Sequence, residues 1–324
     1  MTPAGTGCVA VIGENVADAV VEPAAENDTA LRLRVFPGGG PANTAVALGR
    51  LGTPTRFLGR LPQGVFGDLF AERLQKSAVD LSFAAAASEP ATLTIASVAD
   101  DGQASYVFYA AGTADWQWNT QELLPSHFDG VACVHAGSLA LVMEPGGNLI
   151  ENLLDTVRER ATVSIDPNIR TALVSPQRYR SRMAQWCRLA DIIRMSEDDA
   201  AELFPGLSPE DVLMAPRLAD VPLVIITRGE RGIVASFRQD VVEVPAVAVP
   251  TVDTIGAGDA FSAGLLHWLY QAGHLGGRID HLDIETVRRA LTFGARVAAL
   301  TCTAPGADPP WASRLTNEAT NLLP

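Results

Sequence analysis

Lysine is almost absent from this chain: Lys76 is the only one, and every other basic side chain apart from histidine is arginine. A phosphate-binding loop of the GxxxxGK[ST] kind needs glycines ahead of its lysine. The stretch Leu74-Gln75-Lys76-Ser77 has none, so a P-loop hydrolase is excluded. The strand lysine of protein kinases is missing as well. No HExxH and no GxSxG occurs, which removes the helix-borne zinc proteases and the nucleophile-elbow hydrolases. The four cysteines, Cys8, Cys133, Cys187 and Cys302, form no CxxC. That predicts reduced thiols and a cytoplasmic location. No apolar run approaches the ~18 residues needed to span a bilayer, and a stretch such as Val221–Ile226 has only the length of a strand. A secretory leader needs a basic start, yet the first basic residue is Arg32. Positive charge is scarce overall: 24 basic against 37 acidic residues leave a net charge of −13. Such a surface repels phosphate backbones and anionic lipid, so neither nucleic acid nor membrane is an expected partner. Any anionic ligand must be held by a local site acting against the global field.

What is present is an alternation of strand-like and helix-like segments. Cys8–Ile12, Thr55–Leu58, Val131–His135, Thr162–Ile165, Ile192–Met195 and Leu223–Thr227 read as buried strands. Ala42–Leu51, Gly67–Ser77, Gly147–Arg158, Gly256–Tyr270 and Ile284–Leu300 read as helices. Alternating β and α elements imply right-handed βαβ units around a parallel sheet. Two stretches depart from this rhythm. Leu31–Val35 alternates apolar residues with arginine, and Thr92–Val98 is joined to Ser105–Tyr109 through the turn signal Asp100-Asp101-Gly102. Alternation marks strands with one wet face, so these predict a small sheet projecting from the main domain.

Two segments carry chemistry. Asp253-Thr254-Ile255-Gly256-Ala257-Gly258-Asp259-Ala260-Phe261 stands between the strand-like stretch Val241–Val249 and an amphipathic helix. Small residues at a helix start let a ligand approach, and the unpaired N–H groups there attract anions. Asp259, in the first turn, is placed to take a proton from a hydroxyl, although a carboxylate there also complements the helix dipole. The second segment, Gly38-Gly39-Gly40-Pro41-Ala42-Asn43, is a glycine turn followed by proline at a helix start. Its Asn43 both donates and accepts hydrogen bonds, as a polyol requires.

Together the two segments resemble the signature segments of the PfkB/ribokinase family of carbohydrate kinases, and the resemblance continues in order over residues 8–310. Gly13–Asp18 is similar to the loop whose aspartate binds sugar hydroxyls, Asp166-Pro167-Asn168-Ile169-Arg170 to the D-x-N-x-R stretch, and Thr227–Gly232 to the nucleotide loop. His135–Leu141, Ser196–Ala200 and Thr301–Pro310 look like the bacterial fructokinase branch. There are departures. Ser196-Glu197-Asp198-Asp199 stands where the family often has N-x-x-E, Leu61–Gly67 replaces a G-D-D-x-F-G block, and Ala304 stands where fructokinases commonly carry arginine.

The resemblance implies one ribokinase-like domain over residues 1–324, a three-layer α/β/α sandwich with a mostly parallel central sheet. A β lid is built from about 14–36 and 90–112. It implies transfer of the γ-phosphoryl group of ATP to a small sugar, with fructose as the first expectation. Asp259 would be the base, and the N–H groups of Gly256, Ala257 and Gly258 the anion cradle. Asp18, Gly39, Asn43, Asn168 and Arg170 would hold the sugar, and Thr227, Gly229, Gly232 and Gly258 the nucleotide. Asp199 would assist Mg2+. A K+ ion, used by some members, would rest on carbonyls near Asp253, Ile255 and Thr301–Gly306. Lids in this family often form a dimer contact, which implies a homodimer here. Ribose, 2-keto-3-deoxygluconate, a nucleoside or a phosphosugar remain open as acceptors, with Arg32, Arg34 and Arg170 as the basic residues a phosphosugar would need and Tyr106, Phe108 and Tyr109 as the stacking residues a nucleoside would want. A sugar-binding module without turnover is the alternative of a different class.

Overall fold

The structure, a computed structural model, describes residues 7–22, 30–98 and 104–316. The expected turn Asp100-Asp101-Gly102 lies outside these. Strands in chain order are β1 (Cys8–Ile12), β2 (Val16–Glu22), β3 (Arg32–Gly38), β4 (Thr55–Leu58), β5 (Arg60–Pro62), β6 (Val79–Asp80), β7 (Ala85–Ala87), β8 (Thr92–Val98), β9 (Ala104–Tyr109), β10 (Val131–Gly137), β11 (Thr162–Asp166), β12 (Ile192–Ser196), β13 (Leu223–Thr227), β14 (Ile233–Phe237) and β15 (Asp240–Val244). The helices are α1 (Gly40–Leu51), α2 (Val65–Lys76), α3 (Gly146–Val157), α4 (Pro176–Leu189), α5 (Glu197–Leu203), α6 (Pro209–Leu213), α7 (Ala257–Gln271), α8 (Ile284–Thr301) and α9 (Ala312–Thr316).

Nine strands form one sheet in the order β15-β14-β13-β12-β11-β10-β1-β4-β6. From β13 to β6 every pairing is parallel, and β14 and β15 add an antiparallel edge. The central strands are apolar without alternation because both of their faces are covered. On β1, Ala10 and Ile12 enter a core shared with α3 to α6, whereas Val9 and Val11 enter a second core shared with α1, α7 and α8. This is the three-layer α/β/α arrangement.

A separate four-stranded sheet, β3-β2-β8-β9, forms the lid. Its strands expose Val20, Leu33, Phe36, Tyr106, Val107 and Tyr109, consistent with a sheet that does not belong to the main core. The strand expected at Val241–Val249 is a correction. β15 ends at Val244, before Pro245, which has no N–H to give to a ladder. Residues 246–249 instead line a cleft. β14 and α4 were not expected. α4 carries four arginines, but Tyr179, Met183, Trp186 and Cys187 recur on one buried face.

Candidate active site

In open α/β sheets ligands bind beyond the carboxyl ends of the strands. Here β10, β11, β12 and β13 end beside the N-terminus of α7: Gly137 and Asp166 share a crevice with Asp259, and Arg194 and Thr227 share a cleft with Gly258. Gly256, in the left-handed region at φ 77°, turns the chain into that helix, and a Cβ there would lie 2.6 Å from the Ala307 Cβ. The Ala257 N–H donates to Thr254 O at 3.2 Å. Those of Gly256 and Gly258 have no backbone acceptor among the described residues, so the cradle offers these two N–H groups directly and the third through exchange of a long bond.

On one side of this helix start lies a cleft of about 760 Å³, lined by Thr227, Gly229, Gly232, Ala257 and Gly258. Its apolar wall comes from Val247 and Val249 of the segment after β15 and from Ala295, Ala298 and Ala299 of α8. The nucleotide loop expected at Thr227–Gly232 and the α8 region therefore meet in one cavity. On the other side is a narrow polar crevice lined by Gly40, His135, Asp166, Asn168 and Asp259.

Asp259 stands between the two. Its Oδ2 accepts a hydrogen bond from Asn43 Nδ2 at 2.8 Å. Burial pushes its carboxyl up to about 6; Asn43 opposes that, Asp166 adds to it, and Arg170 and Arg194 oppose it. A carboxylate near 6 is ionised at neutral pH yet basic enough to share a hydroxyl proton. Asn168 faces the same crevice: a Cβ on Gly40 would lie 2.6 Å from its Nδ2 and 3.2 Å from Asp259 Oδ1. Gly39 is closed off by Glu14 O, 2.5 Å from where its Cβ would be. On lid strand β2, Asp18 lies against Gly38, whose Cβ would come within 2.0 Å of Asp18 Oδ2. Burial raises Asp18 to about 6, against the Thr94 hydroxyl. Arg170 is exposed beside the crevice, and its Nη1 donates to Ile169 O at 3.2 Å.

Asp199 is placed differently from the expectation. Its Oδ2 accepts hydrogen bonds from the Ser196 N–H (2.9 Å) and hydroxyl (2.6 Å), and its Oδ1 accepts one from the Ile169 N–H (2.8 Å). It is the acidic half of a capping box on α5 and lies 6% exposed. These bonds engage both oxygens, and the cleft is lined by Glu197 and Asp198 of the same helix rather than by Asp199. Asp253 also acts as a clamp: its carboxylate accepts from Ile255 N (3.0 Å) and Gly306 N (2.8 Å). That holds the 253–256 and 302–306 loops side by side. Gln63 and Gly64, in the divergent block, are exposed at the start of α2.

Arg194 was not expected. It is an arginine inside the buried strand β12, 7% exposed, and a charge in an otherwise apolar strand was its only signal in the sequence. Its Nη1 donates to Asp166 Oδ2 at 2.9 Å and its Nη2 to Thr227 Oγ1 at 2.5 Å. A Cβ on Gly258 would lie 2.5 Å from Nη1. The guanidinium thus rests against the cradle and lines the cleft, a fixed cation in an acidic protein.

The buried acids and imidazoles give an expectation for pH. Burial raises Glu14 to about 7 and Asp18, Asp115, Asp191 and Asp259 to about 6, and lowers His135 and His267 to about 4. Each raised acid favours the folded state below its ordinary value and loses that contribution as pH rises through 6 to 7. Each lowered histidine contributes above its ordinary 6.5 and loses that as pH falls through about 4. From pH ~7.5 to ~5.5 the acids outnumber the histidines, so the melting temperature is expected to rise. The base role expected of Asp259 implies that turnover falls over the same interval. Melting curves and initial rates in one buffer series check this; a melting temperature that falls together with turnover contradicts it.

Residues 8–314 match the pfkB family carbohydrate kinase pattern. The chain is 36% identical over 256 residues to a fructokinase of Rhizobium leguminosarum bv. trifolii, covering 78% of either sequence. The solved structure of fructokinase with bound ATP from Xylella fastidiosa is similar with a TM-score of 0.84 at 26% identity, over 95% of this chain and 97% of that one. A double mutant of Vibrio cholerae fructokinase, in a form with fructose, ADP and potassium ion bound, gives a TM-score of 0.78 at 26% identity over 94% of both chains. The family pattern spans both glycine segments and the cleft and crevice they build, and on that match the chain belongs to the pfkB family of carbohydrate kinases.

Proposed function

We propose that this kinase transfers the γ-phosphoryl group of ATP to a hydroxyl of fructose. The observation that carries the reading is the position of Asp259, one residue beyond the cradle that ends the large cleft and on the wall of the polar crevice. Adenine lies against the α8 alanines, and the phosphates run to Gly258 and Arg194. Asp18, Gly39, Asn43, Asn168 and Arg170 hold the sugar, with Asp18 brought down by the lid. Asp259 takes the hydroxyl proton as the oxygen attacks. The Gly256 and Gly258 N–H groups and Arg194 stabilise charge on the transferred group, and such electrostatic positioning is the main contribution to phosphoryl transfer.

Magnesium fits this donor set. Among the described residues no group of three acidic, histidine or cysteine side chains forms a dedicated metal site. A cation held mostly by phosphates and water needs only one or two carboxylates, and Glu197 and Asp198 line the cleft. When bound, it neutralises phosphate charge. Asp199 serves it indirectly, by capping the helix that presents those two side chains. The loops that Asp253 clamps would supply carbonyls, including those of Asp253 and Ile255, to K+. The exposed apolar residues of the lid support a homodimer through that sheet, checked by sedimentation. No helix among the described residues is long and apolar enough to cross a membrane, and the four cysteines are unpaired, which supports action in the cytoplasm.

The test is ADP release from magnesium-ATP with fructose, ribose, glucose, 2-keto-3-deoxygluconate, adenosine and fructose 6-phosphate, each with and without KCl. Selective turnover of fructose is expected. Selective turnover of another acceptor would keep the mechanism and overturn the sugar. ATP binding without turnover of any acceptor would favour a binding module.

A further inference from the structure

We propose that Arg73, on α2 and outside both pockets, is a positioning residue for phosphoryl transfer: it sets the polarity of the Asn43 amide and thereby the hydrogen bond that Asp259 receives. The proposal rests on the reading of Asp259 as the base.

The geometry is a relay. Arg73 Nη1 donates to Asn43 Oδ1 at 2.9 Å, and Asn43 Nδ2 donates to Asp259 Oδ2 at 2.8 Å. An amide can be turned end for end at little steric expense, because its oxygen and nitrogen are nearly the same size. Turned over here, it would face its oxygen to a carboxylate oxygen and its NH2 to a guanidinium, two repulsive contacts in a buried place. Arg73 therefore selects the orientation in which Asp259 receives a donor, and a donor to the charged form keeps a carboxyl ionised. The arginine is itself anchored at two further points. Nη1 also donates to Pro37 O of lid strand β3 at 3.0 Å, and Nη2 to Ala307 O at 2.6 Å. Ala307 is the residue whose Cβ abuts Gly256. One guanidinium thus ties the lid root, the sugar-binding helix and the loop behind the anion cradle.

All three of its acceptors are neutral. Burial lowers Arg73 to about 10, with Arg50 adding and Asp259, Asp308 and Asp18 opposing, so it stays a cation throughout the working range. The other groups facing Asp259 are Asp166 on β11, Arg194 on β12 and Arg170. His135 in the crevice is held neutral by burial, down to about 4. None of these is placed to turn the Asn43 amide.

The experiment compares Arg73→Met, Arg73→Lys and Asp259→Asn with the unchanged enzyme, reading kcat, both KM values and the pH profile, with melting temperature as the check on folding. Arg73→Met is expected to move the acid limb of the profile up by about one unit from its origin near 6, so that kcat falls about twofold at pH 7 and about eightfold at pH ~5.5, and to recover most of the loss by pH ~8.5. Its KM for ATP is expected to stay within about twofold, since Arg73 does not line the nucleotide cleft. Arg73→Lys keeps the charge and one donor and is expected to fall between. An acid limb in Arg73→Met at the position of the unchanged enzyme overturns the proposal, as does an equal loss at every pH in both arginine variants, which would be a structural effect alone. If Asp259→Asn retains full turnover, the base assignment fails and the relay with it. If Asp259→Asn is inactive while Arg73→Met keeps its acid limb, only the role of Arg73 is overturned.

Discussion

Replacing Asp259 with asparagine is expected to lower turnover by at least ~10²-fold, the lower end of what a positioned general base contributes, and to leave the fold intact. Asparagine keeps the volume of the side chain and an oxygen to accept the Asn43 donor, now at 2.8 Å from Asp259. What it loses is the capacity to take a proton. Stability is expected to hold or rise. The folded state pushes the Asp259 carboxyl up to about 6, so at neutral pH its charge opposes folding, and that opposition disappears when the charge is removed. A pairing of lost activity with unchanged or higher melting temperature separates a catalytic group from a structural one. Turnover like that of the unchanged enzyme would remove Asp259 from the mechanism.

Arg194→Leu is expected to act on stability and rate together. The side chains of Arg194 and Asp166 are 9% and 5% exposed and meet at 2.9 Å. Deleting one member of a buried pair leaves the other charged and unpartnered, at a cost of about 3–5 kcal/mol. The same change takes a cation from the end of the nucleotide cleft, where loss of one well-placed electrostatic donor costs ~10²–10³-fold in turnover. The two effects can be parted by adding Asp166→Asn, which removes the stranded charge. The double variant is expected to recover most of the denaturation midpoint and little of the rate. Recovery of both would mean that Arg194 serves only the fold.

The parts of the molecule that were legible beforehand share a physical cause. Buried parallel strands such as Leu223–Thr227 must be apolar on both faces and short, and the span read for that strand is the one observed. Lid strands have a wet face, so Thr92–Val98 showed itself by its flanking turn signals and its match with a second strand. Gly38, Gly39, Gly40 and Gly256 were legible because close approach of a neighbour excludes any side chain there. α4 was hidden because its arginines dominate its composition while only one face, Tyr179 to Cys187, is buried. The strand expected to run to Val249 stopped early because the wall of the cleft, rather than a ladder, takes up residues 246–249.

By itself the sequence determined the layered α/β plan, the appended sheet and the two glycine segments that meet at the site. Each of these depends on local periodicity or on backbone freedom, which neighbouring residues reveal. Only the tertiary structure decided which polar groups serve those segments. Asp199 became a helix cap because the Ser196 and Ile169 N–H groups surround it. Arg194 and Arg73, 121 residues apart in the numbering of the chain, came near Asp259 because the fold sets β12 against Gly258 and α2 against Asn43 and Ala307. A charged side chain carries no pattern that names its partner, and its role follows from what the fold brings within hydrogen-bond reach.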